Sequence, residues 1–471
     1  MITCFIPFQS ESQAEQTINN LQKQPLVKTT RLVQGDIRST ASMRYIAEHT
    51  DTPYTLIYTK LTTLSFVLYA LERMTALLED SGALMVYSDH FNKTGETITP
   101  APVIDYQEGA LRDDFDFGSV LLYRTDALRE AVGRMDTDYQ YAGLYDLRLK
   151  VSQKGRLEHI NEYLYYDVEQ DTRKSGEKLF DYVDPKNRGV QIEMEQVCTR
   201  HLKDIGGWLA PHFKEPDLTE GEFEYEASVI IPCKNRVKTI GDAIRSALSQ
   251  QVKAPYKYNV IVVDDNSTDG TVDVIRSFSD ERLIYIAQDK TWHAIGGNWN
   301  VALHHPLCGR FAIQLDSDDV YADEFTIQRF IDAFHTQHCA MVVGTYRMTD
   351  FNMQTLPPGV IDHREWTPDN GRNNALRING LGAPRGFYTP LLRQLNFPTT
   401  KYGEDYAVGL RVSREYQIGR IYEVVYNCRR WDDNSDANCD NEAMNRNNLY
   451  KDRLRTWELR ARIQLNNKMT K

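Results

Sequence analysis

Two apolar runs in the second half of this sequence end in clustered carboxylates, and carboxylates in that position can do chemistry. Asn259 to Val263 runs into Asp264-Asp265-Asn266-Ser267-Thr268-Asp269-Gly270, and Arg310 to Leu315 runs into Asp316-Ser317-Asp318-Asp319. In an open parallel sheet, ligands bind beyond the carboxyl ends of the strands, where these groups would project. At the first end, carboxylates can accept hydrogen bonds from a base N–H or from ribose hydroxyls; the same residues can also simply cap the next helix. Alternating carboxylates at the second end suit a hard divalent cation, Mg2+ or Mn2+, which shares its shell with substrate phosphates and neutralises charge on a departing diphosphate. A solvated acidic loop would read the same way.

Two further segments extend the set. Gly403-Glu404-Asp405-Tyr406 precedes a helix-like stretch, Ala407 to Glu415. Its carboxylate either stabilises the helix dipole or acts as a general base on a hydroxyl nucleophile. Cys428-Arg429-Arg430-Trp431-Asp432-Asp433-Asn434-Ser435 follows a strand-like Ile421 to Tyr426. Paired arginines can clamp a diphosphate and a tryptophan can stack on a sugar face, with a charged surface loop as the plain alternative.

The elements that must position these groups come in two sets. Thr3 to Phe8 and Ser228 to Cys233 are both short apolar runs with a proline near the end, followed by a polar turn and a helical stretch, the signature of a buried strand entering a helix. Tyr54 to Tyr58 parallels Phe311 to Leu315 at an offset of 257, and each precedes a helix-like segment, Val67 to Leu78 and Phe325 to His335. Gly118 to Thr125 parallels Gly382 to Thr389 at an offset of 264, and Leu149 to Ser152 parallels Leu410 to Ser413 at 261. A drift of a few residues is what loop insertions produce, so the reading is an internal repeat. The expected architecture is α/β, with two Rossmann-like mixed-sheet domains in tandem over 1–171 and 227–440. A helical linker spans 172–226, with a turn at Asp184-Pro185-Lys186-Asn187 and a helix over Gln191 to Ile205. A C-terminal helix occupies 441–471 and packs one face on the body.

The chain has 471 residues, 41% of them hydrophobic and 26% charged, which fits a two-domain globular protein. A net charge of −11 argues against a nucleic-acid partner. Seven cysteines without paired spacings fit neither a disulfide framework nor a zinc site. No secretory leader opens the sequence, and the most apolar stretch, Leu61 to Leu77, is too polar to span a bilayer. A cytoplasmic enzyme is expected, with contact to a membrane surface through a partner or lipid substrate left open.

In this order the segments resemble family 2 glycosyltransferases, inverting enzymes with the GT-A fold. The landmarks are SVIIPCKNR from Ser228 to Arg236, VVDDNSTDG, GGNWNVAL from Gly296 to Leu303, LDSDD from Leu315 to Asp319, and GED from Gly403 to Asp405, together covering about 200 residues. The resemblance implies a nucleotide-sugar donor, UDP-linked by preference, and a glycan, lipid-linked or protein acceptor. It places Pro232, Asp264 and Asp265 on the base and ribose and Asn298 beside the nucleotide, with Lys234 and Arg236 counted among the donor contacts. Asp318, with Asp316, belongs to the metal–diphosphate motif. Asp405 would be the catalytic base and Glu404 its neighbour. Arg429, Arg430 and Trp431 look like a shortened form of the arginine–tryptophan motif of polymerising members. Two departures stand out: Gly297-Asn298 replaces the usual arginine–asparagine pair, and the full processive motif with its membrane helices is missing, which favours transfer of single sugars.

The N-terminal unit reads as a degenerate copy. At the 257 offset Asp316 falls on Thr59 and Asp318 on Leu61; at 261, Glu404 falls on Gly143 and Asp405 on Leu144. A one-residue slip would bring Tyr145-Asp146 to the base position. The expectation is a catalytically dead scaffold or an acceptor-binding module. Two rival readings are a non-catalytic carbohydrate-binding or scaffold protein and a sugar-phosphate nucleotidyltransferase. The latter would need a glycine-rich basic loop that Pro232 to Arg236 does not supply.

Overall fold

A computed structural model of the chain describes residues 1–168, 187–289, 294–364, 366–378, 381–431 and 440–469. The turn expected at Asp184-Pro185-Lys186 and the acidic segment Asp432 to Ser435 lie outside the described residues. The chain divides into two compact units, Met1–Trp208 together with Cys439–Lys471, and Leu209–Asn438. The stretch expected as a linker is therefore shared between them.

In the first unit β1 (Ile2–Phe8), α1 (Glu11–Gln22), β2 (Val27–Gln34), α2 (Thr40–His49) and β3 (Tyr54–Tyr58) come first. There follow β4 (Ser65–Phe66), α3 (Ala70–Ser81), β5 (Met85–Thr94), β6 (Thr97–Ala101) and β7 (Val120–Arg124). The last are α4 (Thr125–Gly133), α5 (Gly143–Ser152), β8 (Leu157–Asp167) and α6 (Arg188–Asp204). The sheet runs β2-β1-β3-β7-β5-β8-β4, with β6 on β5. Successive residues of a strand face opposite sides, so Phe5, Ile57 and Tyr123 feed one core while Cys4, Leu56 and Leu122 feed the other. Helices must cover both faces of such a sheet, and the central strands β1, β3 and β7 are buried along nearly their whole length.

The second unit repeats this plan. It contains β9 (Ala227–Cys233), α7 (Ile240–Leu248), β10 (Tyr258–Asp264), α8 (Thr271–Arg276), β11 (Leu283–Ala287) and α9 (Ala294–His304). Next are β12 (Phe311–Gln314), β13 (Val320–Tyr321), α10 (Thr326–Gln337), β14 (Met341–Thr349) and β15 (Thr355–Ile361). It ends with α11 (Gly371–Asn374), β16 (Arg385–Tyr388), α12 (Thr389–Leu395), α13 (Glu404–Ser413) and β17 (Ile418–Arg429). The order β11-β10-β9-β12-β16-β14-β17-β13, with β15 on β14, is that of the first sheet with one added edge strand, β11.

The repeat read from the sequence holds at the level of register. β3 pairs antiparallel with β7 through Tyr54↔Arg124, and β12 pairs with β16 through Phe311↔Tyr388, which are the same positions at offsets of 257 and 264. The N–H of Thr125 donates to Pro53 O, and that of Thr389 donates to Arg310 O, both at 2.9 Å. α5 and α13 begin and end at equivalent residues, Gly143 with Glu404 and Ser152 with Ser413. The chain is thus α/β with two GT-A-like mixed sheets in tandem and a C-terminal helix.

That helix, α14 (Asn441–Met469), belongs to the first unit. Its packed face is ionic as well as apolar. Asp452, Arg455, Glu458 and Arg462 are buried along one side; Arg455 and Arg112 both bond Asp452, and Arg462 bonds Glu458 at 2.7 Å. Trp457, one of the large side chains that suggested an apolar face, points to solvent at 58% exposure. Gly109 permits the close approach, because a Cβ there would lie 2.2 Å from Thr456 N.

Candidate active site

Parallel pairing of β10 with β9 and of β9 with β12 brings three strand ends together in the second unit. Asp264 and Asp265 leave β10, Pro232 sits in buried β9, and Asp316 follows β12. The turn after β10 is fixed by its own side chains. Ser267 N–H donates to the Asp264 carboxylate at 3.2–3.3 Å, and Asp269 accepts from Val237 N–H at 3.1 Å. Asp269 also accepts from the N–H of Thr271, the first residue of α8, at 3.0 Å, while Asp265 faces Lys234, 3.4 Å away.

A chain of contacts runs from Asp265 to Asp405. Lys234 meets Asp265, and Arg236, two residues on, lies 3.9 Å from the Asp318 carboxylate. Asp318 also accepts from Trp431 Nε1–H at 3.1 Å. On the other side, Gln314 Nε2–H donates to Asp316 Oδ1 at 2.9 Å and its Oε1 accepts from Arg385 Nε at 3.0 Å. Arg385 Nη1 then donates to Asp405 Oδ2. Asp316 and Asp405, 89 positions apart in sequence, are thereby joined through two side chains.

α13 presents Asp405 because Gly403, at φ +78°, turns the chain into the helix with two acids in its first turn. The two acids differ. Asp405 accepts from Arg385 and from Tyr406 N–H. Glu404 is 7% exposed, and burial followed by the neighbouring Asp405 charge pushes its carboxyl up to about 8. Glu404 therefore holds its proton more readily at neutral pH than an ordinary glutamate. α9 holds Asn298 on the opposite flank, where Gln288 donates to its Oδ1 at 3.1 Å and Gln288 N–H donates to Asp264 O.

The strand before the arginine–tryptophan segment is longer than expected. β17 continues pairing with β14 through Thr349↔Arg429, so Arg429 lies in a buried strand and not in a loop. Its Nε donates to Asp318 O at 2.5 Å, its N–H to Asp319 Oδ1 at 2.7 Å, and its Nη1 to Asp242 at 2.9 Å. It braces the acidic turn from behind, in place of the free diphosphate clamp the sequence suggested. Arg430 N–H pairs with Thr349 O, and Trp431 Nε1–H meets the Asp318 carboxylate.

Among the described residues no group of three or more His, Cys, Asp or Glu side chains is arranged to hold a metal on its own. The donor chemistry nevertheless fits a divalent cation bound through one or two carboxylates and substrate phosphates. Burial, then the Asp318 and Asp316 charges, push the Asp319 carboxyl well above its ordinary range, and burial with the Asp318 charge raises that of Asp316. Three carboxylates this close together in one turn are stabilised by a cation.

The sequence missed Arg385 and Gln314. Both sit in strands read only for their place in the repeat, yet an arginine in a buried strand where the first copy has Leu121 was the available signal. The first unit lacks the whole acidic set. Thr59 and Leu61 follow β3, Gln34 and Gly35 end β2, and Leu144 stands at the Asp405 position. Asp146 does not slip into that place: it is buried and paired with Lys150 at 2.7 Å.

The fold and the acidic cluster together define a GT-A glycosyltransferase unit. Residues 228–394 match the family model described as Glycosyl transferase family 2. An Escherichia coli enzyme, UDP-Glc:alpha-D-GlcNAc-diphosphoundecaprenol beta-1,3-glucosyltransferase WfgD, is 28% identical over 203 residues, 42% of this chain and 74% of that one. Staphylococcus aureus poly(ribitol-phosphate) beta-N-acetylglucosaminyltransferase TarS is 29% identical over 170 residues, 35% of this chain and 28% of TarS. The solved structure of S. aureus TarS 1-349 in complex with UDP-GlcNAc aligns with TM-score 0.38 and 22% identity over 46% of this chain and 61% of that one. Residues 228–394 of the second unit are thus similar to glycosyltransferase family 2, and the relatives they match are transferases.

Proposed function

We propose that the second unit transfers one sugar from a nucleotide-diphospho-sugar, a UDP-sugar first, to an acceptor hydroxyl with inversion at the anomeric carbon. The observation that carries this reading is the Asp316–Gln314–Arg385–Asp405 connection, which ties the diphosphate end of the site to the base. Pro232, Asp264, Asp265 and Asn298 take the nucleotide, Lys234 and Arg236 the donor's charged face, and Trp431 the sugar beside Asp318. A bound Mn2+ or Mg2+, held by Asp318 with Asp316, would neutralise the charge that builds on the departing diphosphate. Asp405, oriented by Arg385 and the Tyr406 N–H, accepts the proton of the attacking hydroxyl, beside a Glu404 whose carboxyl is raised by burial.

The acceptor is read as a lipid-linked or soluble glycan, in keeping with the lipid-linked acceptor in the name of the E. coli relative. Among the described residues no helix is long and apolar enough to cross a membrane. We place the reaction in the cytoplasm, a reading supported by six cysteines among the described residues that are in no disulfide.

The test is a set of UDP-glucose and UDP-N-acetylglucosamine reactions, with β-linked and α-linked acceptor glycosides, followed by NMR of the product. An α-linked donor should give a β-linked product. An α-linked product overturns inversion, and absence of both transfer and donor hydrolysis favours a binding protein. Release of pyrophosphate from a sugar phosphate and UTP would instead identify a nucleotidyltransferase.

A further inference from the structure

Where the second unit carries the Arg385–Asp405 pair, the first unit carries leucines. Leu121 on β7 and Leu144 on α5 occupy the equivalent positions, and both line a cavity of about 280 Å3 within the first unit. Thr59, the counterpart of Asp316, and Gly118, the counterpart of Gly382, border the same cavity. The two positions that carry Arg385 and Asp405 in the second unit are thus leucines beside a cavity whose wall also includes Arg38, Asp113 and Asp116.

The walls are aromatic, with Phe115, Phe117, Tyr123 and Tyr145 among them. Arg148 reaches in from α5, with its guanidinium 4.6 Å from the Tyr145 ring centroid and 5.3 Å from that of Phe117. Its counterpart in the second unit is Gly409, where even a Cβ would strike Leu381 at 2.3 Å. Two polar atoms in this wall have no hydrogen-bond partner: the Tyr123 hydroxyl, on a fully buried side chain, and Arg148 Nε, on a residue 5% exposed. Buried polar atoms are nearly always paired, so such a pair beside an aromatic cavity marks a place for a ligand's own hydroxyls.

The ligand's class follows from what is missing. The strand ends that would take a base and ribose finish in Gln34 and Gly35, no edge strand equivalent to β11 is present among the described residues of this sheet, and no carboxylates follow β3. A volume just under the roughly 300–1,000 Å3 of ordinary small-molecule sites suits a single ring and not a nucleotide sugar. We infer that the first unit binds, without reacting it, an uncharged sugar ring of the acceptor glycan, held between the aromatic walls and hydrogen-bonded to Arg148 and the Tyr123 hydroxyl. The choice of an acceptor glycan rests on the proposed transfer reaction; the sugar site itself does not.

Saturation-transfer NMR on the full chain, with glucose, N-acetylglucosamine and their methyl glycosides as probes and UDP as the nucleotide control, tests this. Leu144 is partly exposed, so Leu144→Trp fills the cavity without entering the core, and Tyr141→Ala, also partly exposed, removes wall from the same side. Sugar binding should weaken about tenfold or more in both variants, remain in Asp405→Asn, and persist in saturating UDP. Absence of sugar signals in the wild-type chain at millimolar concentrations overturns the assignment, as does binding that survives Leu144→Trp and Tyr141→Ala but is lost in Asp405→Asn. If Asp405→Asn transfers sugar at the wild-type rate, the catalytic reading falls while this site stands.

Discussion

At the end of β12, Asp316, Asp318 and Asp319 crowd one turn, and burial with mutual repulsion raises the carboxyls of Asp316 and Asp319. At the end of β3, the equivalent turn holds Lys60, whose Nζ lies 2.8 Å from the buried Asp167 carboxylate, which also accepts from Ser119. One turn gathers three carboxylates beside Arg236 and Arg385; the other sets a single lysine against a buried carboxylate. The strands beneath are paired in the same order and register. Strand order is held by alternating apolar side chains and backbone bonds such as Thr125 N–H to Pro53 O, which tolerate loss of the acids. Reactivity is held by about half a dozen side chains that the fold does not need, so one copy can lose it and keep its shape.

The sharpest way to break this contrast is to neutralise single acids of the second unit. Asp405→Asn keeps the acceptor atoms of the helix start but cannot take a proton, and transfer should fall about 10³-fold with donor binding and Tm preserved. Retention of turnover within a few-fold, measured by donor consumption and product NMR, would remove Asp405 as the base. Asp318→Asn should cost about 10²-fold in kcat/KM. EDTA should abolish wild-type transfer, and added Mn2+ or Mg2+ should restore it in the wild type more than in the variant. Indifference to chelation would make the acidic turn a structural feature.

Much of this contrast was legible in the sequence, because carboxylates at the end of an apolar strand stand out against their background. The repeat was legible as well: its offsets of 257, 264 and 261 reappear as strand register and helix limits. What escaped were side chains whose role depends on a partner far along the chain. Arg385 is an unremarked arginine in a short strand until Gln314 and Asp405 are seen on either side. Arg429 looked like a ligand clamp because one-dimensional reading cannot show that β17 extends to it and that Asp242 lies behind it. Ion pairs inside the packed face of α14 were hidden for the same reason: their partner Arg112 is 340 residues from Asp452.

A smaller effect separates the two acids of α13. The Glu404 carboxyl is raised from 4.5 to about 8 in the folded chain, so the folded state holds more protons than the unfolded state across that interval. Stability contributed by this group is therefore present below about pH 4.5 and is lost as pH rises through about 8. Glu404→Gln has no such loss. Its stability relative to the wild type should rise as pH is raised from about 5 to about 8, by on the order of 1–3 kcal/mol in all, read as a widening Tm difference. A constant margin would mean Glu404 is already ionised at neutral pH and shares the negative charge with Asp405.

The smallest effect on transfer belongs to Asp146→Asn in the first unit. Asp146 is the acid nearest the vacated base position in sequence, and its carboxylate is buried against Lys150. Removing its charge leaves a buried ammonium without a counter-charge, which should lower Tm by several degrees. Transfer assayed well below that Tm should change by less than about twofold, because the position equivalent to Asp405 is held by Leu144 and the turn after β3 offers no carboxylate. A folded Asp146→Asn protein whose transfer drops as steeply as that of Asp405→Asn would place a second base in the first unit and end the division of labour between the two copies.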